Sequence, residues 1–279
     1  MLDVAIIGGG PAALTAALYL ARAGWRAQVF ERRQLGGALA ETAEIANYPG
    51  FVGKGSELVE KFRHQAERAG AVISYGECTA LQLAESGWEL TIDGETITAP
   101  AVLAASGSAP KQLNLNPAVP VSYCALCEGE LARGKSVAVV GGANSAVQSA
   151  LYLAPLVRQL TLITHSTLKA DPVLVQSLKA QANIIIREQV EPTTELLNTF
   201  EFVFVCIGRQ PASSYLRTLP DILDAEGYVI TGQGSSHQAA PGLFAAGDLH
   251  QGSLHQVVAA AGDGAAAAVE IGQFLSLAH

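Results

Sequence analysis

Two cysteines separated by two residues, Cys124 and Cys127 in the stretch SYCALCEG, have the plainest capacity for chemistry in this chain. Such a pair can clasp a metal, staple a loop or carry electrons. Zinc needs four ligands, and no second Cys or His pair follows at finger-like spacing. Cys78 and Cys206 fall in predicted strands and read as core residues. A structural disulfide is unusual in a cytosolic protein, which tilts the reading towards redox exchange. Thiolates attack and leave where thiols hardly do, and a Cys-x-x-Cys at a helix start can close a small ring while the helix dipole lowers the first thiol's pKa.

Electrons need a carrier, and the first thirty residues supply a place for one. Leu2–Ile7 is an apolar run that predicts a buried strand, and Gly8-x-Gly10-x-x-Ala13 follows it as a G-x-G-x-x-A turn. Pro11 suits the first helical turn, where a missing N–H costs little, and Ala12 and Ala13 continue it. A second strand over Arg26–Phe30 delivers Glu31, 23 residues after Gly8. That is close to the spacing of about 20 at which a carboxylate accepts hydrogen bonds from a ribose. Glycines let the backbone approach a pyrophosphate seated on the helix dipole, so the segment predicts a dinucleotide site. An acid at the ribose end favours a free 2′-hydroxyl, as in FAD or NAD.

The element is present twice. VAIIGGGPAALTAALYLA (4–21) and VAVVGGANSAVQSALYLA (137–154) are identical at ten of eighteen positions, 133 residues apart. Two copies imply two related α/β domains. Cys78–Leu83, Trp88–Ile92 and Glu95–Ile97 read as short strands, with Asp93-Gly94 as a hairpin turn. Ala101–Ala105 is a further strand ending at Ser106-Gly107, and LFAAGD is another, closing on Gly247-Asp248 before a helix from about Leu254. Ligands gather at the carboxyl ends of such strands, so Asp248 is placed to bind a cofactor hydroxyl.

Bulk composition narrows the class. Of 279 residues 49% are hydrophobic and 15% charged, a scarcity of charge that suggests a dimer or a large internal cofactor. A formal net charge of −8 and the lack of basic runs argue against a nucleic-acid binder. No apolar run reaches membrane-spanning length, and nothing at the N-terminus reads as an export signal, so the expected location is the cytoplasm.

Together these segments resemble the low-molecular-weight flavoprotein thioredoxin reductases, from residue 4 to about 275. The resemblance rests on the first glycine motif, GGALAETAEIANYPG (36–50), AASG (104–107), CALCEG, VAVVGGANSA, FVCIG, and LFAAGD with HQVVAAAG after it. It implies an FAD domain over 1–112 and 209–279, split by an inserted, shortened nicotinamide-nucleotide-type domain over 113–208 that carries the cysteines. Both would be Rossmann-like three-layer folds. FAD would lie on Gly8, Gly10, Pro11, Ala12, Ala13, Glu31, Gly36, Leu39, Asn47, Gly107, Asp248 and Gln256. His255 stands where the family commonly has arginine, and either touches the cofactor or is a surface helix residue. Nothing marks the other histidines. By the same resemblance Cys127 would lie against the flavin and Cys124 would attack the disulfide of a thioredoxin-like protein. Glu128, where aspartate is more usual, would be the acid–base group.

The chain departs from that family where a nicotinamide nucleotide would bind. Alanine, Ala143, replaces the close-approach glycine of the second copy. After the strand QLTLIT, His165 and Ser166 stand in place of an arginine pair, and Lys169 is the only fixed cation read nearby. Only about one element separates Ile184–Ile186 from FVFVCIG, where relatives have a strand meander. Glu130-Leu131 replaces an aromatic pair that the family presents to thioredoxin. These changes point to a pyridine-nucleotide-independent branch, which includes ferredoxin-dependent flavin thioredoxin reductases and related cyanobacterial forms. The donor would then be ferredoxin or another reduced carrier, or a second flavin. A divergent NADPH-dependent reductase, a flavin-linked dithiol oxidase and a non-catalytic redox-sensing flavoprotein are the alternatives.

Overall fold

A computed structural model describes residues 2–42, 44–85, 87–219, 221–232 and 236–278. The chain divides into two compact units, 1–109 with 210–279, and 110–209. It begins with β1 (Val4–Ile7), α1 (Pro11–Arg22), β2 (Ala27–Glu31), β3 (Ile45–Tyr48), β4 (Phe51–Gly53) and α2 (Gly55–Arg68). Then come β5 (Val72–Tyr75), β6 (Cys78–Ala84), β7 (Gly87–Ile92), β8 (Glu95–Ala99), β9 (Ala101–Ala104) and β10 (Ser108–Pro110). The second unit holds β11 (Val121–Ser122), α3 (Ala125–Glu128), β12 (Ser136–Val140), α4 (Asn144–Leu153) and β13 (Gln159–Thr164). It continues with α5 (Pro172–Lys179), β14 (Ile184–Glu188), α6 (Thr194–Leu197) and β15 (Phe202–Val205). The chain closes with β16 (Arg209–Pro211), β17 (Gln238–Ala240), β18 (Leu243–Ala245) and α7 (Val257–Ala278).

The first unit is built on a sheet of order β17-β18-β9-β1-β2-β5, parallel except for the antiparallel pair β17–β18. Strand alternation assigns its two faces. Val4 and Ile6 pack with α1 and α7, whereas Ala5 and Ile7 pack with the antiparallel meander β6-β7-β8. Burial on both faces explains why β1 and β9 read as unbroken apolar runs. The hairpin turn between β7 and β8 lies at Asp93-Gly94, both with positive φ (49° and 87°), as that dipeptide predicts.

Helices α1 and α7 meet closely because small residues line the contact. A Cβ added at Gly264 would collide with the carbonyl oxygen of Ala12. Helix α7 starts at Val257, three residues later than the sequence suggests. His255 takes φ 55°, a left-handed conformation that a right-handed helix excludes.

The second unit repeats the scheme with a parallel sheet of order β11-β15-β12-β13-β14. Val137 and Val139 pack against α4, and Ala138 and Val140 pack on the opposite face with Leu197 and Phe200. Between β14 and β15 the sole element is the four-residue α6, so this unit is a short version of the fold. Cys206 follows β15 rather than lying in it, while Cys78 opens β6. No helix among the described residues is long and apolar enough to cross a membrane.

Candidate functional site

The first glycine turn joins the carboxyl end of β1 to α1. Gly8 has φ 101°, and a Cβ there would lie 2.5 Å from the carbonyl oxygen of Ala105, so the turn lies hard against the end of β9 next to Ser106-Gly107. Gly10 differs. It caps α1 with extended backbone, its missing Cβ faces open space, and no side chain caps the first helical turn. Pro11 has no N–H, which leaves the amides of Ala12 and Ala13 as donors at the positive end of a twelve-residue helix. Open room at Gly10 beside uncapped amides is what a pyrophosphate requires. The residues therefore fit a dinucleotide.

Glu31 ends β2 within hydrogen-bond reach of this turn. Its Oε2 accepts from the Gly9 N–H at 2.7 Å and its Oε1 from the Arg33 N–H at 2.8 Å. Each oxygen keeps a lone pair, so the buried carboxylate can still receive ribose hydroxyls. Gly36 donates its N–H to the Gly9 carbonyl at 2.7 Å, which ties the 36–39 turn to the fingerprint. The side chain of Leu39 belongs to the core formed with Leu14, Leu35, Ile45, Leu58 and Val59. With that side chain in the core, Leu39 offers a cofactor its backbone.

Two further pairs, remote in sequence, come together. Asn47 donates its side-chain N–H to Gln256 Oε1 at 3.0 Å. Asp248, in the turn after β18, lies 3.4 Å from His255 Nδ1, and that nitrogen is buried without a well-formed hydrogen bond. We take this contact as a weak pairing that a bound polar group would improve. His255 is thus a turn residue facing Asp248, not a residue on the surface of α7.

In the second unit Cys124 and Cys127 form a disulfide with an S–S distance of 2.05 Å. Cys124 is the N-cap of α3, and its Sγ accepts the Cys127 N–H at 3.2 Å. Because α3 has only four residues, one direct N–H rather than a long helix dipole favours a thiolate at Cys124. Ser122, which sequence reasoning missed, is buried at 2% exposure and fixes the approach to the pair. Its Oγ accepts the Cys124 N–H at 3.1 Å and donates to the Cys124 carbonyl at 3.3 Å. A serine two positions before a cysteine at a helix start is the signal that could have found it. Cys124 is half-buried and Cys127 exposed. Glu128 closes α3, half-buried.

Cys78 and Cys206 are free thiols. Burial pushes the Cys78 thiol up to about 11 and raises that of Cys206 as well. At pH 8 a thiol of pKa 11 is ionised to about one part in a thousand. The oxidised native protein should therefore show no fast-reacting thiol towards a disulfide reagent, and anaerobic reduction should expose two. A fast thiol before reduction would contradict the core assignment of Cys78 and Cys206.

The second glycine turn carries Ala143 at the position of Gly10, capping α4 with its methyl exposed. The loop after β13 is fastened across this turn. Lys169 donates its N–H to the Gly142 carbonyl at 2.7 Å. Asn144 and Asp171 bond reciprocally, Nδ2 to Oδ2 at 3.0 Å and the Asp171 N–H to Oδ1 of Asn144 at 2.8 Å. A carboxylate thus lies at the first turn of α4, the end that would attract a phosphate. His165 and Lys169 are exposed. Lys169 is not the only cation, however. Arg187 stands beside Ile163 in the β13–β14 ladder, and Glu188 next to it accepts the Leu168 N–H at 2.7 Å.

Comparison with known proteins gives a consistent result. A family model described as pyridine nucleotide-disulphide oxidoreductase matches residues 2–264. The chain is 35% identical over 301 residues to a thioredoxin reductase of Mycolicibacterium smegmatis, covering 98% of this chain and 96% of that one. It is 32% identical over 309 residues to NADPH-dependent thioredoxin reductase 3 of Arabidopsis thaliana, covering 98% and 58%. The crystal structure of thioredoxin reductase from Streptococcus pyogenes matches with a TM-score of 0.87 at 29% identity over 99% of both chains.

Proposed function

The chain belongs to the thioredoxin reductases of the pyridine nucleotide-disulphide oxidoreductase family, FAD-dependent flavoprotein enzymes, and from that premise we propose that it reduces a thioredoxin-like protein through Cys124 and Cys127 with electrons from a donor other than NADPH. The disulfide between these residues, with an amide already directed at one sulfur, carries the reading. Gly8, Gly10, Pro11, Ala12, Ala13, Glu31, Gly36, Asn47, Gly107, Asp248, His255 and Gln256 are the residues assigned to FAD. The backbone of Leu39 completes the set. FAD, when bound, supplies the electron pair that opens the disulfide.

The rest is thiol exchange by the chain's own residues. Reduction of the disulfide takes two electrons and two protons and leaves two thiols. Cys124, stabilised as thiolate by the Cys127 N–H, attacks one sulfur of the substrate disulfide. That forms a mixed disulfide and releases a substrate thiolate. Cys127 then attacks the Cys124 sulfur, closes the original bond and frees the second substrate thiolate. In this reading Glu128, next to Cys127 in the sequence, exchanges the protons that these thiolates gain and lose. Two copies of the chain act together as a dimer in this reading, consistent with its low charge content.

Support for a donor other than NADPH comes from the second unit. The methyl of Ala143 and the carboxylate of Asp171 both oppose a pyrophosphate at α4, and His165 and Ser166 lack the paired charge of arginines. Ferredoxin or another reduced one-electron carrier is the donor class. Anaerobic spectroscopy tests this. Reduced ferredoxin should bleach the flavin, while NADPH and NADH at micromolar levels should not. Rapid bleaching by NADPH would restore the divergent NADPH-dependent reading, in which Lys169 and Arg187 serve the nucleotide. Bleaching by reduced thioredoxin alone would reverse the direction and make the enzyme a dithiol oxidase.

A further inference from the structure

Away from the glycine turns, the first unit gathers two histidines and two carboxylates. His237 precedes β17 and is 8% exposed, His250 lies in the loop after β18, and Asp263 and Glu270 project from one face of α7. Each imidazole has one nitrogen committed. His237 Nδ1 is 2.9 Å from Glu270 Oε1, and the carboxylate of Glu270 also accepts the His237 backbone N–H at 3.0 and 3.1 Å. His250 Nδ1 is 2.8 Å from the carbonyl oxygen of Gln251. Both neighbours accept hydrogen bonds only, so each ring places an N–H at Nδ1 and leaves Nε2 to face the remaining member of the cluster.

Both Nε2 atoms face one further side chain. His250 Nε2 lies 3.1 Å from Asp263 Oδ2, and His237 Nε2 lies 3.9 Å from Asp263 Oδ1. One atom from each of the three residues falls within 4.8 Å of the other two. Two imidazole nitrogens and a carboxylate oxygen gathered in this way form a donor set that a divalent cation can use. We propose that His237 Nε2, His250 Nε2 and a carboxylate oxygen of Asp263 bind one zinc-class divalent cation, with water as the fourth ligand. Tetrahedral zinc with bonds of about 2.0–2.1 Å separates its ligands by roughly 3.3 Å, so ligand atoms that now lie up to 4.8 Å apart must close by as much as about 1.5 Å. Glu270 and the Gln251 carbonyl are the outer partners that orient metal-bound histidines. Two imidazoles and one carboxylate suit zinc rather than magnesium or calcium, which prefer oxygen alone. The ion would join the lead-in of β17, the loop after β18 and α7, with His250 two residues beyond Asp248. It thereby steadies one wall of the FAD site.

The test uses flavin-loaded full-length protein, stripped with chelator, kept oxidised and titrated with zinc alone. Metal analysis after desalting should find one zinc per chain, and the melting temperature should rise with zinc concentration. The Cys124→Ser/Cys127→Ser variant should retain that zinc, which separates the site from the dithiol. His237→Ala/His250→Ala should retain none, and Glu270→Gln should bind about 10- to 100-fold more weakly. His250→Gln, a change at a partly exposed loop residue, guards against misfolding: with flavin content unchanged it should still lose stoichiometric zinc. Substoichiometric uptake by the parent protein overturns the proposal in favour of a proton-bridged cluster, as does a folded His250→Gln that holds zinc as tightly as the parent.

Discussion

Replacing Cys124 by serine should lower multiple-turnover reduction of a thioredoxin-like substrate by about 10⁴-fold or more, the scale on which enzymes lose rate with a covalent nucleophile. FAD should remain bound at the parent stoichiometry. The sulfur lies in the second unit, whereas the glycine cradle and its neighbours lie in the first. Cys127→Ser should lose turnover to the same degree, because either change abolishes the disulfide. The two variants part company in trapping. Cys127→Ser keeps the backbone N–H that meets Cys124 Sγ at 3.2 Å, so its lone thiolate at Cys124 should attack and hold the substrate as a mixed disulfide. Cys124→Ser should trap little. Exposure alone argues the other way, since Cys127 is the more exposed of the two. We give the amide contact more weight, because thiolate stability sets the attacking species and a sulfur can become accessible through small motions. Faster trapping by Cys124→Ser would exchange the two roles.

The parts of this molecule that were legible in its sequence are those with short-range causes. Apolar runs at Val4–Ile7 and Ala101–Ala104 gave strands because both faces of the sheet are covered. Asp93-Gly94 gave the hairpin because those residues tolerate positive φ. The glycine turn and Glu31 were readable from a spacing that the βαβ geometry imposes. Errors arose where tertiary contacts decide. His255 precedes a strongly helical stretch, yet its backbone is left-handed and its ring turns to Asp248.

Long-range pairs were invisible for the same reason. Asn144 and Asp171 are 27 residues apart, and neither type in its local context announces the other. His237, His250 and Asp263 span a similar distance with no metal-site spacing, since a strand lead-in, a loop and a helix face supply one group each. Arg187 escaped notice because it is adjacent to the β13 loop only through the strand ladder. What separates the two groups is reach along the chain: the legible features lie within one βαβ unit or one turn, and these pairs do not.

Gly8 and Gly10 should separate those two roles when substituted. Gly8→Ala forces a methyl to within 2.5 Å of the Ala105 carbonyl oxygen at a φ of 101°, so the ends of β1 and β9 must move apart. Both stability and flavin content should fall, and the protein should be recovered in poor yield and largely colourless. A Cβ added at Gly10 meets no atom within 4 Å, and extended backbone at an N-cap accepts any residue. The Gly10→Val apoprotein should fold with a loss of about 1 kcal/mol, the usual size of N-cap effects. Yet the branched side chain fills the space beside the uncapped amides of α1. Losing two charge-assisted hydrogen bonds at roughly 1.5–3 kcal/mol each would weaken FAD by about two to four orders of magnitude. A folded, colourless Gly10→Val is therefore the expected product, with Gly10→Ala intermediate because it repeats the methyl that Ala143 carries in the second copy. A yellow Gly10→Val with parent affinity would show that the pyrophosphate does not pass over this turn. The reverse substitution, Ala143→Gly, should not by itself create rapid reduction by NADPH, because the Asp171 carboxylate stays bonded to Asn144 at the first turn of α4. Pairing it with Asp171→Asn removes that charge and is the smallest change expected to raise affinity for the nucleotide.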